Sequence, residues 1–379
     1  MSPKKTNLYV WQQPDWPNWT YDTLALCSAL TLAYRQHGIA IGKAQAVGLT
    51  SVSLAQIMND GWVQQAIATS AIEGEKLDLN MVRSSVMRKL DLPHSGTSSR
   101  RVDGLIDMMH DATVRHTEKL DLDRLCRWQA ALFPEGISGL KRIETGKLRS
   151  FSEPMLIVSG KIGKEKIHYR APDSGQLELE MKRFLDWFNQ PSGEDGIIRA
   201  ALAHLWFEVI HPFEDGNGRI GRSIIDMALA QHTQQPVWLC SMSRQLMKNR
   251  SDYYDRLNQA STNSVDVTTW IKWFISQFTA ACLQSCLEID ATLEKAQFWS
   301  RYASHDLNER QRKTLQKLLD AGDGGYVGAM TADKHGKITG ASKATATRDL
   351  RDLVARGILI IRGEGKATRY FVNIPGWNQ

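Results

Sequence analysis

Apolar residues recur every three to four positions along most of this chain, which is the spacing of amphipathic helices. The pattern first covers residues 21–90, where Gly38, Gly61 and Gly74 interrupt it and Asp78 stands where an N-cap is expected. It returns in later segments, and each of them predicts a helix: residues 101–116, 122–132, 176–189, 197–209, 219–232, 242–260, 265–303, 308–320 and 343–356. The chain is therefore predicted to be mainly α-helical.

Two stretches have the composition of short β-hairpins instead. The first joins residues 155–158 and 166–170 through a glycine-containing turn, and the second spans residues 358–372. Residues 10–19 hold three Trp and two Pro, which is too many prolines for a helix and too many aromatic residues for a free tail. We expect this segment to be an extended arm packed on the body of the protein.

The pattern changes near residue 305, after which come shorter helices and the second hairpin. That order resembles a winged helix-turn-helix domain. A chain of 379 residues has room for two or three domains of about 100–200 residues. We predict three regions: residues 1–90 with the arm and the first helices, residues 91–303 with the helical core, and residues 307–379 with the winged helix.

Positive charge is concentrated in the last of these regions. The whole chain has a formal charge of +6, and residues 307–372 alone hold 13 Lys and Arg against 7 Asp and Glu. A basic winged helix with Lys343, Arg348, Arg351 and Arg356 on or near its recognition helix predicts binding to DNA phosphates. A DNA-binding transcriptional regulator is therefore one candidate function of the whole protein. If residues 307–372 do not bind DNA, the alternative is that they form a protein-interaction or dimer-docking module.

Composition excludes several classes of protein. The chain is 42% hydrophobic and 23% charged with a mean hydropathy of −0.35, and it lacks the uninterrupted run of about 18 apolar residues that a membrane helix needs. Its N-terminus lacks the apolar core of a signal peptide. The five cysteines are scattered without metal or redox spacing. We expect a cytoplasmic protein without disulfides and without a membrane partner.

The residues that suggest chemistry lie between two predicted helices, in residues 211–222 with the sequence HPFEDGNGRIGR. Backbone N–H groups at the start of a helix point outward and carry partial positive charge, so Gly216, Asn217 and Gly218 can surround an anion. Arg219 and Arg222 follow three residues apart and are predicted to face the same polyphosphate.

Two more residues of this segment complete a candidate reaction centre. Asp215 offers a carboxylate oxygen for Mg²⁺, and His211 can take a proton from a hydroxyl because its ordinary pKa is close to neutral. Together these groups indicate a nucleotide-dependent transferase. His204, Glu208 and His211 also share a helix face with zinc-like spacing, but a zinc site leaves the Gly-Asn-Gly-Arg run unexplained. We interpret His204 instead as a buried, hydrogen-bonded residue.

Residues 211–222 match the signature of the Fic family, H-x-F-x-[D/E]-G-N-G-R-x-x-R, at every fixed position. The hairpin with Val158, Ser159 and Gly160 resembles the family's flap, which aligns a target segment by strand addition. Residues 69–74, TSAIEG, resemble the family's inhibitory motif, [S/T]-x-x-x-E-[G/N]. The arm and the winged helix resemble a bacterial subgroup of the family.

The resemblance implies a Fic-type helical core with a β-hairpin flap, and transfer of AMP from ATP. His211 deprotonates a Ser, Thr or Tyr hydroxyl of a target protein, which attacks the α-phosphate while Asp215 holds Mg²⁺. The other signature positions bind ATP: Gly216, Asn217 and Gly218 the α-phosphate region, Arg219 the β- and γ-oxygens, and Arg222 the γ-phosphate. Tyr253 and Tyr254 resemble a family position near the nucleotide base, with a buried aromatic pair as the alternative.

Glu73 is the glutamate of the motif that resembles the inhibitory one. In the family pattern it pairs with the second signature arginine, here Arg222, and lets ATP bind only in a geometry unfit for transfer. The resting enzyme is then expected to be nearly inactive. Two alternatives stay open, a surface glutamate without a role and a glutamate that positions water to remove AMP from a target. The identity of the target, what relieves the inhibition, self-modification and a homodimer also stay open.

Overall fold

The computed structural model describes residues 9–46, 51–93, 96–159, 166–234, 239–262, 264–322, 326 and 329–377. The chain divides into two compact units, Met1–Cys286 and Leu287–Gln379. Among the residues described, no helix is long and apolar enough to cross a membrane. The predicted division into residues 1–90, 91–303 and 307–379 stays a prediction.

Helices make up most of the first unit. In chain order they are α1 (Thr23–Ala46), α2 (Ser51–Ile72), α3 (Leu79–Lys89), α4 (Arg100–Val114), α5 (Leu122–Leu132), α6 (Leu177–Asn189), α7 (Gly196–Ile210), α8 (Asn217–Thr233), α9 (Met242–Lys248), α10 (Arg250–Ala260) and α11 (Thr268–Arg301), whose last residues belong to the second unit. Asp78 caps α3 as predicted, because its carboxylate accepts hydrogen bonds from the Asn80 and Met81 N–H groups, both at 2.9 Å.

The core of this unit is built around α7, in which every residue except Arg199 is buried. A helix that is mainly apolar and buried on nearly all sides belongs at the centre of a domain, and α8 packs directly against it. Asp195 caps the start of α7 by accepting hydrogen bonds from the Ile197 and Ile198 N–H groups at 2.9 and 3.2 Å. The turn that joins α7 to α8 contains the candidate reaction centre.

Two antiparallel hairpins accompany the helices of the first unit. Strands β1 (Ile137–Ser138) and β2 (Lys141–Arg142) form the first, which the sequence pattern did not predict because two-residue strands leave no alternation to detect. Strands β3 (Leu156–Ser159) and β4 (Lys166–Arg170) form the second, which was predicted. Its register shifts between Ile157 and Val158.

The aromatic N-terminal segment is held on the first unit, as expected. The indole N–H groups of Trp11 and Trp16 donate to the Arg170 carbonyl and the Glu180 carboxylate, both at 2.8 Å. The segment is not extended at its start, however. Residues Val10–Gln12 form a short 3₁₀ turn, because the Gln12 side chain accepts a hydrogen bond from the N–H of Tyr9 at 3.0 Å.

The second unit contains α12 (Glu309–Asp320), α13 (Ala332–Thr339), α14 (Lys343–Ala355), β5 (Leu359–Arg362) and β6 (Arg369–Val372). Met330 adds a bridge to Tyr370 beside the β5–β6 hairpin. The sequence pattern missed α13, which is short, polar and interrupted by Gly336. The order of helices and hairpin agrees with a winged helix, and the assignment to that domain class stays a prediction.

A polar cluster joins helices α12, α13 and α14 of the second unit. His335 on α13 is fully buried, with its Nδ1 2.7 Å from the Thr314 hydroxyl on α12 and its Nε2 3.3 Å from Asp349 Oδ2 on α14. Arg310 donates two hydrogen bonds to the same Asp349 carboxylate. Because the buried Thr314, His335 and Asp349 side chains are all paired, they fix the helices relative to one another rather than destabilise the unit.

Candidate active site

His211 ends helix α7 in a left-handed conformation, with φ 50° and ψ 60°. Pro212 follows it and has no N–H group with which to continue the helix. Phe213 is fully buried and anchors the turn, and the Asn217 side chain bonds both the N–H and the carbonyl of Phe213, at 3.0 and 2.8 Å. The Asn217 side chain therefore shapes this turn, while its N–H lies in the first turn of α8, where an anion would bind.

Two glycines allow other groups to approach the start of α8. Gly216 has φ +92°, which favours glycine, and a Cβ there would lie 3.0 Å from the Phe133 ring. A Cβ on Gly218 would overlap Oε1 of Glu73 and lie 3.0 Å from Nη1 of Arg222. The second glycine is therefore required for the Glu73 carboxylate to reach this position.

The environment of His211 keeps its imidazole neutral. Burial, reinforced by the positive charge of Arg149, lowers the pKa of His211 to about 4. Its Nδ1 lies 3.8 Å from Oε2 of Glu208, and burial raises the pKa of that carboxyl to about 8. At neutral pH both groups are therefore mainly uncharged, and the imidazole can accept a proton.

Arg222 is paired with the residue that the sequence pattern proposed as its partner. Its Nη2 donates to Glu73 Oε1 at 2.7 Å and to the Thr69 carbonyl at 2.9 Å, while its Nε donates to the Thr69 hydroxyl at 2.8 Å. The Arg222 side chain is 1% exposed and that of Glu73 is 31% exposed. Burial alone would lower the pKa of Arg222, but the charge of Glu73 contributes to raising it above its ordinary value.

Arg219 binds a different carboxylate, which the sequence analysis did not identify. Its Nη1 donates to Oε2 of Glu75 at 3.0 Å, and Oε1 of Glu75 lies 2.9 Å from Nε of Arg101 on α4. The Arg219 guanidinium also lies over the Phe133 ring, 4.9 Å from its centroid. Glu75 follows Glu73 by two residues. Its position next to the TSAIEG motif was the only feature of the sequence that could have suggested a role for it in the site.

Asp215 lies at the open side of the site, with its side chain 41% exposed. Its Oδ1 accepts a hydrogen bond from the Gly216 N–H at 2.5 Å, and its Oδ2 bonds the Ser138 hydroxyl. Among the described residues, no three His, Cys, Asp or Glu side chains gather as a metal site. One exposed carboxylate fits Mg²⁺, which usually takes one or two carboxylates, with substrate phosphates and water as its other ligands.

Two known family profiles match this chain. Residues 119–229 match the Fic/DOC family, and that range contains α5, α6, α7, most of α8 and all of residues 211–222. The chain carries a Fic domain. Residues 9–92, which include Glu73, match a domain of unknown function (DUF4172).

Curated proteins with similar sequences carry the Fic name as well. Protein adenylyltransferase Fic of Nematostella vectensis is 25% identical over 244 residues, which are 63% of this chain and 51% of that protein. Protein adenylyltransferase fic-1 of Caenorhabditis elegans is 27% identical over 239 residues, which are 62% of this chain and 43% of that protein. The chain therefore spans about half the length, or less, of these curated relatives.

A solved structure supports the same fold. The crystal structure of a Fic family protein from Desulfovibrio desulfuricans G20 matches with a TM-score of 0.53 at 18% identity, covering 94% of this chain and 98% of that one. At such low identity the likeness concerns the fold alone. The chain is mainly α-helical, with a Fic-type core and small β-hairpins.

The candidate flap of the Fic domain contains Val158 and Ser159 in β3, while Gly160 lies outside the described residues. Ser159 is paired with Lys166 of β4. Farther along β4, the Tyr169 hydroxyl donates to the Val209 carbonyl at 2.8 Å. This bond connects the hairpin to the end of α7, two residues before His211.

Tyr253 and Tyr254, which follow the residues that match the Fic family, occupy different environments in the first unit. Tyr253 is 1% exposed and its hydroxyl lies 2.8 Å from Nε2 of His204, which is itself fully buried. Tyr254 reaches the surface, and its ring lies 5.1 Å from that of Tyr253. His204 is thus the hydrogen-bonded core residue that the sequence analysis favoured over a zinc ligand, and the two tyrosines form an aromatic pair of which Tyr254 is the accessible member.

Proposed function

We propose that this chain is a protein adenylyltransferase that transfers AMP from ATP to a Ser, Thr or Tyr hydroxyl of a target protein. The observation that carries the proposal is the uncharged His211 imidazole at the end of α7, placed five residues before the N-cap of α8, whose first two turns hold Arg219 and Arg222. The relatives from Nematostella vectensis and Caenorhabditis elegans that share the Fic domain are named protein adenylyltransferases.

The proposed step is an in-line displacement at the α-phosphorus of ATP. The oxygen of the target hydroxyl bonds to the α-phosphorus, the bond to the bridging oxygen breaks, and pyrophosphate leaves. The hydroxyl proton passes to His211, whose imidazole is uncharged at neutral pH and therefore has a free ring nitrogen to accept it. The N–H groups at the start of α8 stabilise the phosphate charge, so positioning and electrostatics supply most of the catalysis.

Asp215 is the proposed holder of Mg²⁺, for which its exposed carboxylate and the neighbouring Ser138 hydroxyl are suitable oxygen donors. A divalent ion bound there would neutralise phosphate charge. Asp215 does not take part in proton transfer in this proposal. Its hydrogen bond with the Gly216 N–H keeps the carboxylate beside the anion-binding turn.

Glu73 is the proposed inhibitory residue. Arg222 is the second signature arginine, and its Nη2 is already bonded to a carboxylate at 2.7 Å. A γ-phosphate would have to displace that carboxylate to reach the same atom. The displacement is costly, because a charge-assisted hydrogen bond to a buried arginine is among the strong contacts of a protein. The ion pair therefore supports a resting enzyme with low transfer activity.

The proposed reaction is tested with ATP labelled at the α-phosphate, using Glu73→Gly and Glu73→Gly/His211→Ala proteins. Label and a mass increase of one AMP should appear on the Glu73→Gly protein or on proteins of a cell lysate. The double variant should lose both, because the attacking hydroxyl then has no base. ATP labelled at the γ-phosphate is the control and should leave no label.

One result would contradict transfer of AMP, and another would favour removal of AMP instead. Binding of ATP by Glu73→Gly without any label transfer would exclude this donor or this reaction. Release of AMP from an already modified protein by wild type, and not by Glu73→Gly, would favour the alternative in which Glu73 positions a water for removal of AMP. The two results call for different substrates, so they can be told apart.

We propose a second function, DNA binding, for the C-terminal unit. The supporting observation is that Arg348 and Arg351 on α14 are exposed and have no side-chain partner among the described residues. They stand in the segment that concentrates the positive charge of the chain, so they are suited to contact phosphates.

Substitution of both arginines by alanine should weaken binding to duplex DNA. Each lost phosphate contact should reduce the slope of log K against log salt concentration by about one. Fluorescence anisotropy over a salt series measures both effects on the full chain. Arg115→Ala, an exposed arginine of the first unit, is the matched control. Equal affinity of the double variant and this control would contradict DNA binding through α14.

A further inference from the structure

A single carboxylate bridges two arginines beside the proposed ATP site. Oε2 of Glu75 accepts a hydrogen bond from Nη1 of Arg219 at 3.0 Å, and Oε1 lies 2.9 Å from Nε of Arg101. Both guanidinium groups also lie over the ring of Phe133, 4.9 Å from its centroid for Arg219 and 5.7 Å for Arg101. The two carboxylate oxygens of Glu75 thus face two guanidinium groups, and both of these lie over the same aromatic ring.

The electrostatics of this group favour an anion between the two arginines. Burial lowers the pKa of Arg219, the charge of Glu75 acts against that effect, and the like charge of Arg101 adds to it. Negative charge next to the pair of guanidinium groups is therefore favourable. Carboxylate and phosphate both satisfy paired guanidinium groups through two oxygens.

We propose that Arg101 and Arg219 form a subsite for the β- or γ-phosphate of the nucleotide, and that Glu75 fills this subsite in the resting protein. The proposal rests on the proposed function, because it needs a nucleoside triphosphate as the ligand. It adds Arg101, which lies on α4 outside the Fic signature, to the residues that bind the nucleotide. It also makes the Glu75 carboxylate a competitor of the nucleotide phosphate for the two arginines.

Contacts other than Glu75 also hold Arg219 at the subsite. Arg219 is 4% exposed and is also held by Phe133 and by Asp215, whose Oδ1 lies 3.8 Å from its Nη2. Arg101 and Glu75 are 36% and 21% exposed, so solvent reaches the subsite. Loss of the carboxylate therefore leaves two placed cations that an incoming phosphate can reach.

The same turn carries both carboxylates. Glu73 and Glu75 flank Gly74, which has φ +79°, and the Glu75 N–H donates to the Ser70 carbonyl at 3.0 Å. A movement of this turn away from α8 removes Glu73 from Arg222 and Glu75 from Arg219 together. Two signature arginines are thus released by one displacement.

Calorimetric binding of ATP and of AMP to the full chain tests the subsite, with Glu73→Gly as the parent protein. Adding Glu75→Gln should lower the Kd for ATP about fivefold, and adding Arg101→Gln should raise it about fivefold, as expected for partly exposed charges. AMP lacks the β- and γ-phosphates, so its Kd should not change in either variant. Glu118→Gln, which removes an exposed carboxylate paired with Arg115, is the matched control.

The expected changes in ATP affinity have opposite directions in Glu75→Gln and Arg101→Gln. This difference distinguishes competition by Glu75 from a purely structural role. If Glu75→Gln and Arg101→Gln both weaken ATP binding, Glu75 only positions the arginines and the proposal is overturned. Unchanged ATP affinity in both would show that no phosphate reaches Arg101. If the parent protein binds no ATP at all, the proposed function fails as well. Glu75→Asp, too short to bridge both arginines, should shift the ATP affinity in the direction of Glu75→Gln and replaces it if that variant does not fold.

Discussion

Replacing Glu73 with glycine is expected to raise the initial rate of AMP transfer by about a hundredfold, which lies within the usual range of coupling between a regulatory contact and a ligand site. The carboxylate bonds Nη2 of Arg222 at 2.7 Å and leaves that atom unavailable to a phosphate. Arg222 keeps its place without Glu73, because Thr69 still accepts hydrogen bonds from its Nε and Nη2. Initial rates with ATP labelled at the α-phosphate measure the change.

Two further variants separate release of Arg222 from a general loosening of the turn. Glu73→Gln keeps the size of the side chain and removes its charge, so its rate should lie between those of wild type and Glu73→Gly. Arg222→Ala in the Glu73→Gly protein should abolish the gain, since the freed guanidinium is its cause. Equal rates for wild type and Glu73→Gly, with ATP bound by both, would mean that the ion pair does not limit transfer.

The sequence predicted most of the helices because their signal is local. In α7, apolar residues dominate residues 197–209, and this pattern can be read from neighbouring positions. The turn at residues 211–218 was equally readable, since Pro212 and the glycines cannot continue a helix. Helix α13 gave no such signal because its sequence is polar and contains Gly336.

Contacts between distant segments were readable only where a motif linked them. The pairing of Glu73 with Arg222 followed from the resemblance to the Fic family, and the two side chains do meet. Glu75, Arg101 and Arg219 come from three separate segments, and no spacing in the sequence relates them. The protonation state of His211 could not be read from the sequence either. Its low pKa results from burial and from the charge of Arg149, which lies next to it only after folding.

Substituting Gly104 by alanine is expected to lower the free energy of unfolding by about 3 kcal/mol, a typical cost of overpacking a tight helix contact. A Cβ at Gly104 on α4 would lie 2.6 Å from the carbonyl carbon of Ala131 on α5 and closer still to its oxygen, and a backbone atom cannot rotate away. Urea unfolding followed by circular dichroism measures the loss.

The same substitution in α1 should have the opposite effect. A Cβ at Gly38 meets nothing within 4 Å, so Gly38→Ala should stabilise the chain by up to about 1 kcal/mol through helix propensity. Helix α5 leads into Phe133, the ring that supports Arg101 and Arg219, so separating α4 from α5 should also weaken ATP binding in Gly104→Ala. Similar stabilisation by both substitutions would contradict the close approach of α4 and α5, whereas loss of stability and of ATP affinity in Gly104→Ala alone would link that packing to the proposed site.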